Sequence, residues 1–123
     1  MHALMIDDSR ATRSILRGIL RSLGFDVTEA GDGREGLERL GQLGLPDLVL
    51  VDWNMPVMDG IAFLRAARAD TRYAGLPLLM VTTEGDADRI GLALEAGASE
   101  YVLKPFDRDV IVDKLRLLGL AAC

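Results

Sequence analysis

Five polar side chains follow four short aliphatic runs. Asp7 and Asp8 follow "ALMI" (Ala3 to Ile6), and Asp52 follows "LVLV" (Leu48 to Val51). Thr82 follows "LLMV" (Leu78 to Val81), and Lys104 follows "YVL" (Tyr101 to Leu103). If the runs are parallel strands of one sheet, these residues share its carboxyl edge, where open α/β sheets bind ligands. Three carboxylates gathered there repel one another, which raises their pKa values unless a cation neutralises them. The fitting cation is Mg²⁺, which takes oxygen ligands and usually binds through one or two carboxylates plus phosphate oxygens, a role for Asp8 and Asp52. Lys104 adds a second positive charge and Thr82 a hydroxyl donor. Acid, metal, hydroxyl and lysine together are what phosphoryl transfer onto a carboxylate requires, with Asp52 attacking phosphorus in line. Each residue also has an ordinary structural role: acids at a helix start, a threonine filling a strand, a solvated lysine. Their coincidence at successive strand ends favours the site.

The elements that must position them alternate regularly. Helices are expected near Ser9 to Leu23, Gly33 to Leu43, Gly60 to Ala69, Asp86 to Ala96 and Asp107 to Leu118, with a second strand over "DVTEA" (Asp26 to Ala30). In the first helix Ile15, Leu16, Ile19, Leu20 and Leu23 recur at helical spacing while Arg13, Arg17 and Arg21 point elsewhere. Gly24, Gly44, Gly75 and Gly97 mark helix stops, and Pro46 and Pro77 precede or open strands. Five βα units predict a parallel sheet with right-handed crossovers and helices on both faces, in a single domain over residues 1–123.

Composition narrows the function. The chain of 123 residues is 50% hydrophobic and 27% charged, without an apolar run long enough to span a bilayer. The start "MHALMIDDSR" is unlike a secretory signal, so a cytoplasmic protein is expected. Cys123 is the single cysteine, and its expected role is that of an inert tail residue. A formal net charge of −5 and the lack of a basic stripe interleaved with aromatics argue against direct nucleic-acid binding. The one histidine, His2, is expected in the frayed start of the chain. That removes a histidine-based metal site or a histidine-activated nucleophile.

The segments "DD" (Asp7, Asp8), "DWNMPVMDG" (Asp52 to Gly60), "MVTTE" (Met80 to Glu84) and "EAGASEYVLKPF" (Glu95 to Phe106) resemble, in order and over essentially the whole chain, the response-regulator receiver domains, in particular the stand-alone chemotaxis type. The resemblance implies a flavodoxin-like fold, strand order 2-1-3-4-5. It implies that Asp52 is the phosphoacceptor, Asp7 and Asp8 the acidic metal-site pair, and the Asn54 backbone carbonyl a further Mg²⁺ ligand. Thr82 becomes the switch hydroxyl, Tyr101 the switch aromatic, and Lys104 the phosphate-binding lysine before a cis Pro105. Thr83 is an adjacent hydroxyl; Thr82 lies nearer the strand end and matches the family motif. Asn54 and Glu84 are expected to flank the water that removes the phosphate.

The function so implied is a phosphorylation-activated switch of a two-component system. It takes its phosphoryl group from a histidine kinase or phosphotransfer protein and catalyses only its own phosphorylation and dephosphorylation. Its output is expected as a monomer docking a partner on the fourth helix, fifth strand and fifth helix. On the fourth helix Ile90 and Leu94 share a face and Leu92 lies nearly opposite Ile90, so at least one large aliphatic residue must face solvent. Two other readings fit less well. An aspartyl phosphohydrolase of the haloacid-dehalogenase group carries a second acid two residues after the nucleophile, where this chain has Asn54. A flavodoxin-like cofactor binder needs a Gly/Ser/Thr-rich loop after the first strand, where this chain has "DDSRAT".

Overall fold

Leu48, Val49, Leu50 and Val51 are apolar on both sides of an extended chain and all are buried, so their strand must lie inside a sheet covered on both faces. The computed structural model describes residues 1–83 and 87–120. In chain order these form β1 (His2–Ile6), α1 (Arg10–Ser22), β2 (Asp26–Ala30), α2 (Gly33–Leu43), β3 (Leu48–Asp52) and α3 (Gly60–Ala69). A 3₁₀ turn (Thr71–Tyr73), β4 (Leu78–Thr82), α4 (Ala87–Glu95), β5 (Glu100–Leu103) and α5 (Arg108–Leu117) follow. The strands pair in parallel, in the order β2-β1-β3-β4-β5. No helix among the described residues is long and apolar enough to cross a membrane.

Side chains alternate across a strand, and each strand therefore feeds two cores. Leu4, Ile6, Val49, Val51, Leu78 and Met80 pack with Leu40 of α2, Phe63 and Leu64 of α3 and Ala93 of α4. Ala3, Met5, Leu48, Leu50, Leu79 and Val81 pack with Leu16 and Leu20 of α1 and Ile111 and Leu115 of α5. Helix starts are fixed by local acceptors. Ser9 caps α1, and the carboxylates of Asp32, Asp59 and Asp107 each accept an N–H at 2.9 Å at the starts of α2, α3 and α5. The edge strand β2 is braced from α1 by Glu29, which pairs with Arg13 at 3.3 Å and Arg17 at 2.7 Å.

Several expectations need correction. His2 is not frayed: it belongs to β1, its N–H donates to Asp47 at 2.8 Å, and its ring Nε2 lies 2.7 Å from the Thr28 hydroxyl. Parallel pairing of His2 with Asp26 holds it there. The 3₁₀ turn ahead of Gly75 was not anticipated; a single turn capped by Asp70 is too short to show helical periodicity. Asp52 and Thr82 end their strands rather than follow them, because pairing runs one residue beyond the apolar segment. On α4 both Leu92 and Leu94 are exposed. Cys123 lies outside the described residues.

Gly60 opens α3 directly behind the site: a Cβ there would lie 2.3 Å from the Asp52 carbonyl oxygen. Main chain cannot yield as a flexible side chain would. Gly60→Ala is therefore expected to destabilise by about 1–3 kcal/mol. Gly18→Ala, in α1 with nothing within 4 Å, should be neutral or stabilising by up to about 1 kcal/mol. Urea-denaturation midpoints of the two variants check the contrast, and equal midpoints would contradict it.

Candidate functional site

The carboxyl ends of β1, β3, β4 and β5 meet at one edge because the sheet register aligns them: Ile6 pairs with Val51, Asp52 with Val81 and Thr82 with Leu103. Asp7 and Asp8 leave β1 there, Asp52 ends β3, and Thr82 ends β4. Lys104 leaves β5, its backbone N–H bonded to the Thr82 carbonyl at 2.8 Å. Each of Asp7, Asp8 and Asp52 offers a carboxylate oxygen within 4.8 Å of the others. Asp7 is 1% exposed, Asp52 8% and Thr82 2%, whereas Asp8 is exposed.

Asp7 is engaged twice, accepting the Ser9 N–H at 2.8 Å and the Lys104 ammonium at 3.1 Å. The same ammonium lies 3.4 Å from Asp52 Oδ1. One cation thus serves two buried carboxylates, with a third acid alongside. The electrostatic result is a rise in the Asp52 pKa from 3.8 to about 6, caused first by burial and next by the charge of Asp7, with Lys104 opposing. An oxygen-only donor set with surplus negative charge fits a hard divalent cation such as Mg²⁺.

Thr82 is buried at the strand end, while the adjacent Thr83 is exposed beyond it. Asn54 is exposed in the loop from Trp53 to Asp59, which is tied down by the Gly60 N–H to the Trp53 carbonyl at 2.9 Å and the Gly33 N–H to the Met58 carbonyl at 3.0 Å. In that loop Val57 adopts φ 68°, a left-handed conformation costly for a β-branched residue. The Lys104–Pro105 peptide is cis. Glu84 lies outside the described residues. Tyr101 is half-buried and packs against the core cluster that contains Met80 and Ala93.

Two cations near these residues were not anticipated. Arg89 of α4 stacks over the Trp53 ring at 5.0 Å from its centroid, and its Nη1 is buried with no hydrogen-bond acceptor among the described residues. Lys114 of α5 lies 4.4 Å over the Tyr101 ring. Neither partner falls at a local helical or strand spacing, so no pattern in the sequence announces them.

Residues 3–116 match the response regulator receiver domain. The chain is 47% identical over 116 residues to chemotaxis protein CheY of Pseudomonas aeruginosa, covering 94% of this chain and 93% of that protein. It is 39% identical over 119 residues to chemotaxis protein CheY1 of Helicobacter pylori, with 96% of each covered. Among solved structures, chemotaxis response regulator CheY4 of Vibrio cholerae superposes with a TM-score of 0.88 at 33% identity, covering 95% of this chain and 97% of that one.

The raised Asp52 pKa has a definite sign for stability. Between 3.8 and about 6 the folded protein binds the proton more tightly than the unfolded chain, so this group's contribution falls as pH rises through that window. Above it the ionised carboxylate costs about 3 kcal/mol. With divalent ions chelated, Asp52→Asn should be more stable than wild type at about pH 7.5, and the advantage should shrink toward about pH 4. Denaturant midpoints at the two pH values check this, and a difference independent of pH would refute it.

Proposed function

Because the chain belongs to the response regulator receiver family, we propose that it is a phosphorylation-activated switch over residues 1–123 whose acidic edge accepts a phosphoryl group on Asp52. The supporting observation is the gathering of Asp7, Asp8 and Asp52 at one sheet edge, with the Lys104 ammonium between Asp7 and Asp52. An Asp52 carboxylate oxygen attacks phosphorus, an O–P bond forms, and the P–N bond of a kinase phosphohistidine breaks to release its imidazole. Lys104, set between Asp7 and Asp52, neutralises charge on the transferring oxygens, and the Thr82 hydroxyl donates to one of them. Mg²⁺, held by Asp7, Asp8, Asp52 and the Asn54 backbone carbonyl, would supply further charge neutralisation at the phosphoryl group. The family resemblance assigns Asn54, and Glu84 outside the described residues, to tuning the later hydrolysis of the acyl phosphate.

The response leaves the site through Thr82 and Tyr101. Met80 and Thr82 lie two apart on β4 and share a face, and Met80 pairs with Tyr101, which puts the tyrosine one step behind the hydroxyl. Once Thr82 turns toward the phosphate, space opens for the ring. The output partner docks on α4, β5 and α5, where Leu92, Leu94, Leu103 and Val110 are exposed. The protein acts as a cytoplasmic monomer of a chemotaxis-type pathway, and its activity is regulatory rather than metabolic.

Incubation with a small-molecule phosphodonor should add one phosphoryl group to the intact mass in the presence of Mg²⁺ and not after chelation, with no other enzyme required. Asp52→Asn should remain unmodified. Equal labelling of that variant would remove Asp52 from the role.

A further inference from the structure

The Tyr101 ring is covered by a cation that is itself anchored. Lys114 Nζ lies 4.4 Å from the ring centroid and 3.0 Å from Glu100 Oε1, and the Lys114 and Glu100 side chains are each 22% exposed. Glu100 Oε1 also accepts the Tyr101 backbone N–H at 3.2 Å. One carboxylate therefore fixes both the start of the tyrosine and the ammonium above its ring. Tyr101 also packs against the cluster holding Met80 and Ala93.

We propose that Lys114 is a positioning residue for the phosphorylation switch: held by Glu100, its ammonium keeps Tyr101 in the half-buried resting position and opposes its movement toward Thr82. The proposal rests on the reading of Tyr101 as the aromatic that moves. A cation over an aromatic face is attracted by the ring quadrupole, and that attraction is lost when the ring leaves. Whatever stabilises the resting state must weaken the binding of any ligand that favours the other state, by the same factor. The strength of a partly exposed cation–π contact translates into about a two- to fivefold change. A contact made in the switch thus appears as an affinity at Asp52, on the far side of Thr82.

The test uses beryllofluoride with Mg²⁺ as the phosphate mimic, titrated into the full chain and followed by the fluorescence of Trp53, the single tryptophan. A fluorotyrosine ¹⁹F signal reports the ring, with Tyr73→Phe leaving Tyr101 as the one remaining tyrosine. Lys114→Met keeps the aliphatic stem and removes the charge. It should bind the mimic about two- to fivefold more tightly than wild type and shift the Tyr101 signal toward its mimic-bound position before any mimic is added. Lys114→Arg, which keeps a cation over the ring, should behave as wild type. Affinity in Lys114→Met equal to or weaker than wild type would overturn the proposal, as would equal tightening in Lys114→Arg. Failure of the wild type to bind beryllofluoride at all would overturn the phosphoacceptor reading, and with it the proposal that depends on it.

Discussion

The Lys104 ammonium between Asp7 and Asp52 is the interaction on which the rest of the arrangement depends. Two carboxylates, 1% and 8% exposed, share one cation at 3.1 and 3.4 Å, and Asp8 adds a third negative charge beside them. Left to itself such a group would spread apart or take up protons, and the Asp52 pKa is indeed raised, first by burial and next by the charge of Asp7. What prevents the spreading is the sheet. β1 and β3 are hydrogen-bonded neighbours with Ile6 opposite Val51, and the aliphatic residues behind the acids are wholly buried. Apolar burial at roughly 25 cal/mol per Å² is what offsets the repulsion. The same constraint suits the site to a divalent cation, whose charge would offset a cost the fold has imposed.

Around this rigid centre the surrounding elements differ in how firmly they are held. Arg68 of α3 donates to the carbonyls of Tyr73 at 2.5 Å and Gly97 at 2.9 Å, and to the Ser99 hydroxyl at 3.3 Å. It thereby clips the 3₁₀ turn and the α4–β5 turn to α3. Gly97, at φ 114°, is needed there, since a Cβ would lie 2.5 Å from the Arg68 side chain. The opposite end of α4 is attached differently, through the stacking of Arg89 on Trp53 next to Asp52. The helix is thus clipped at its carboxyl end and joined at its amino end to the residue that follows Asp52.

Much of this was legible in the sequence, for identifiable reasons. A strand buried on both faces has to be an aliphatic run, so Leu48 to Val51 and Leu78 to Val81 mark themselves, and the polar residue after each run is conspicuous. The bounds of β2, α2 and α3 agree with those expected, with Gly24 ahead of β2 and Gly44 just past α2. The order of the strands does not follow from periodicity and came from the likeness of "DWNMPVMDG" and "LKPF" to a known family. Contacts made by long side chains across the fold were invisible. Arg68 reaches residues 29 and 31 positions away, and Lys114 meets a tyrosine from another element. His2 was misread because pairing with a strand distant in sequence, not local propensity, orders it. Leu94 faces solvent even though Ile90, four residues earlier, is partly buried.

Central to this reading of the site is that Asp7, Asp8 and Asp52 act as one cation-dependent unit. The most direct measurement is a Mg²⁺ titration followed by Trp53 fluorescence, since the tryptophan adjoins Asp52 and is the only one in the chain. Wild type should show a saturable response reversed by chelation. Asp8→Asn, which removes the exposed acid while leaving the buried pair and Lys104 in place, should weaken it by about tenfold or more, equivalent to about 1.4 kcal/mol. No saturable response in wild type, or an equal affinity in Asp8→Asn, would contradict the account.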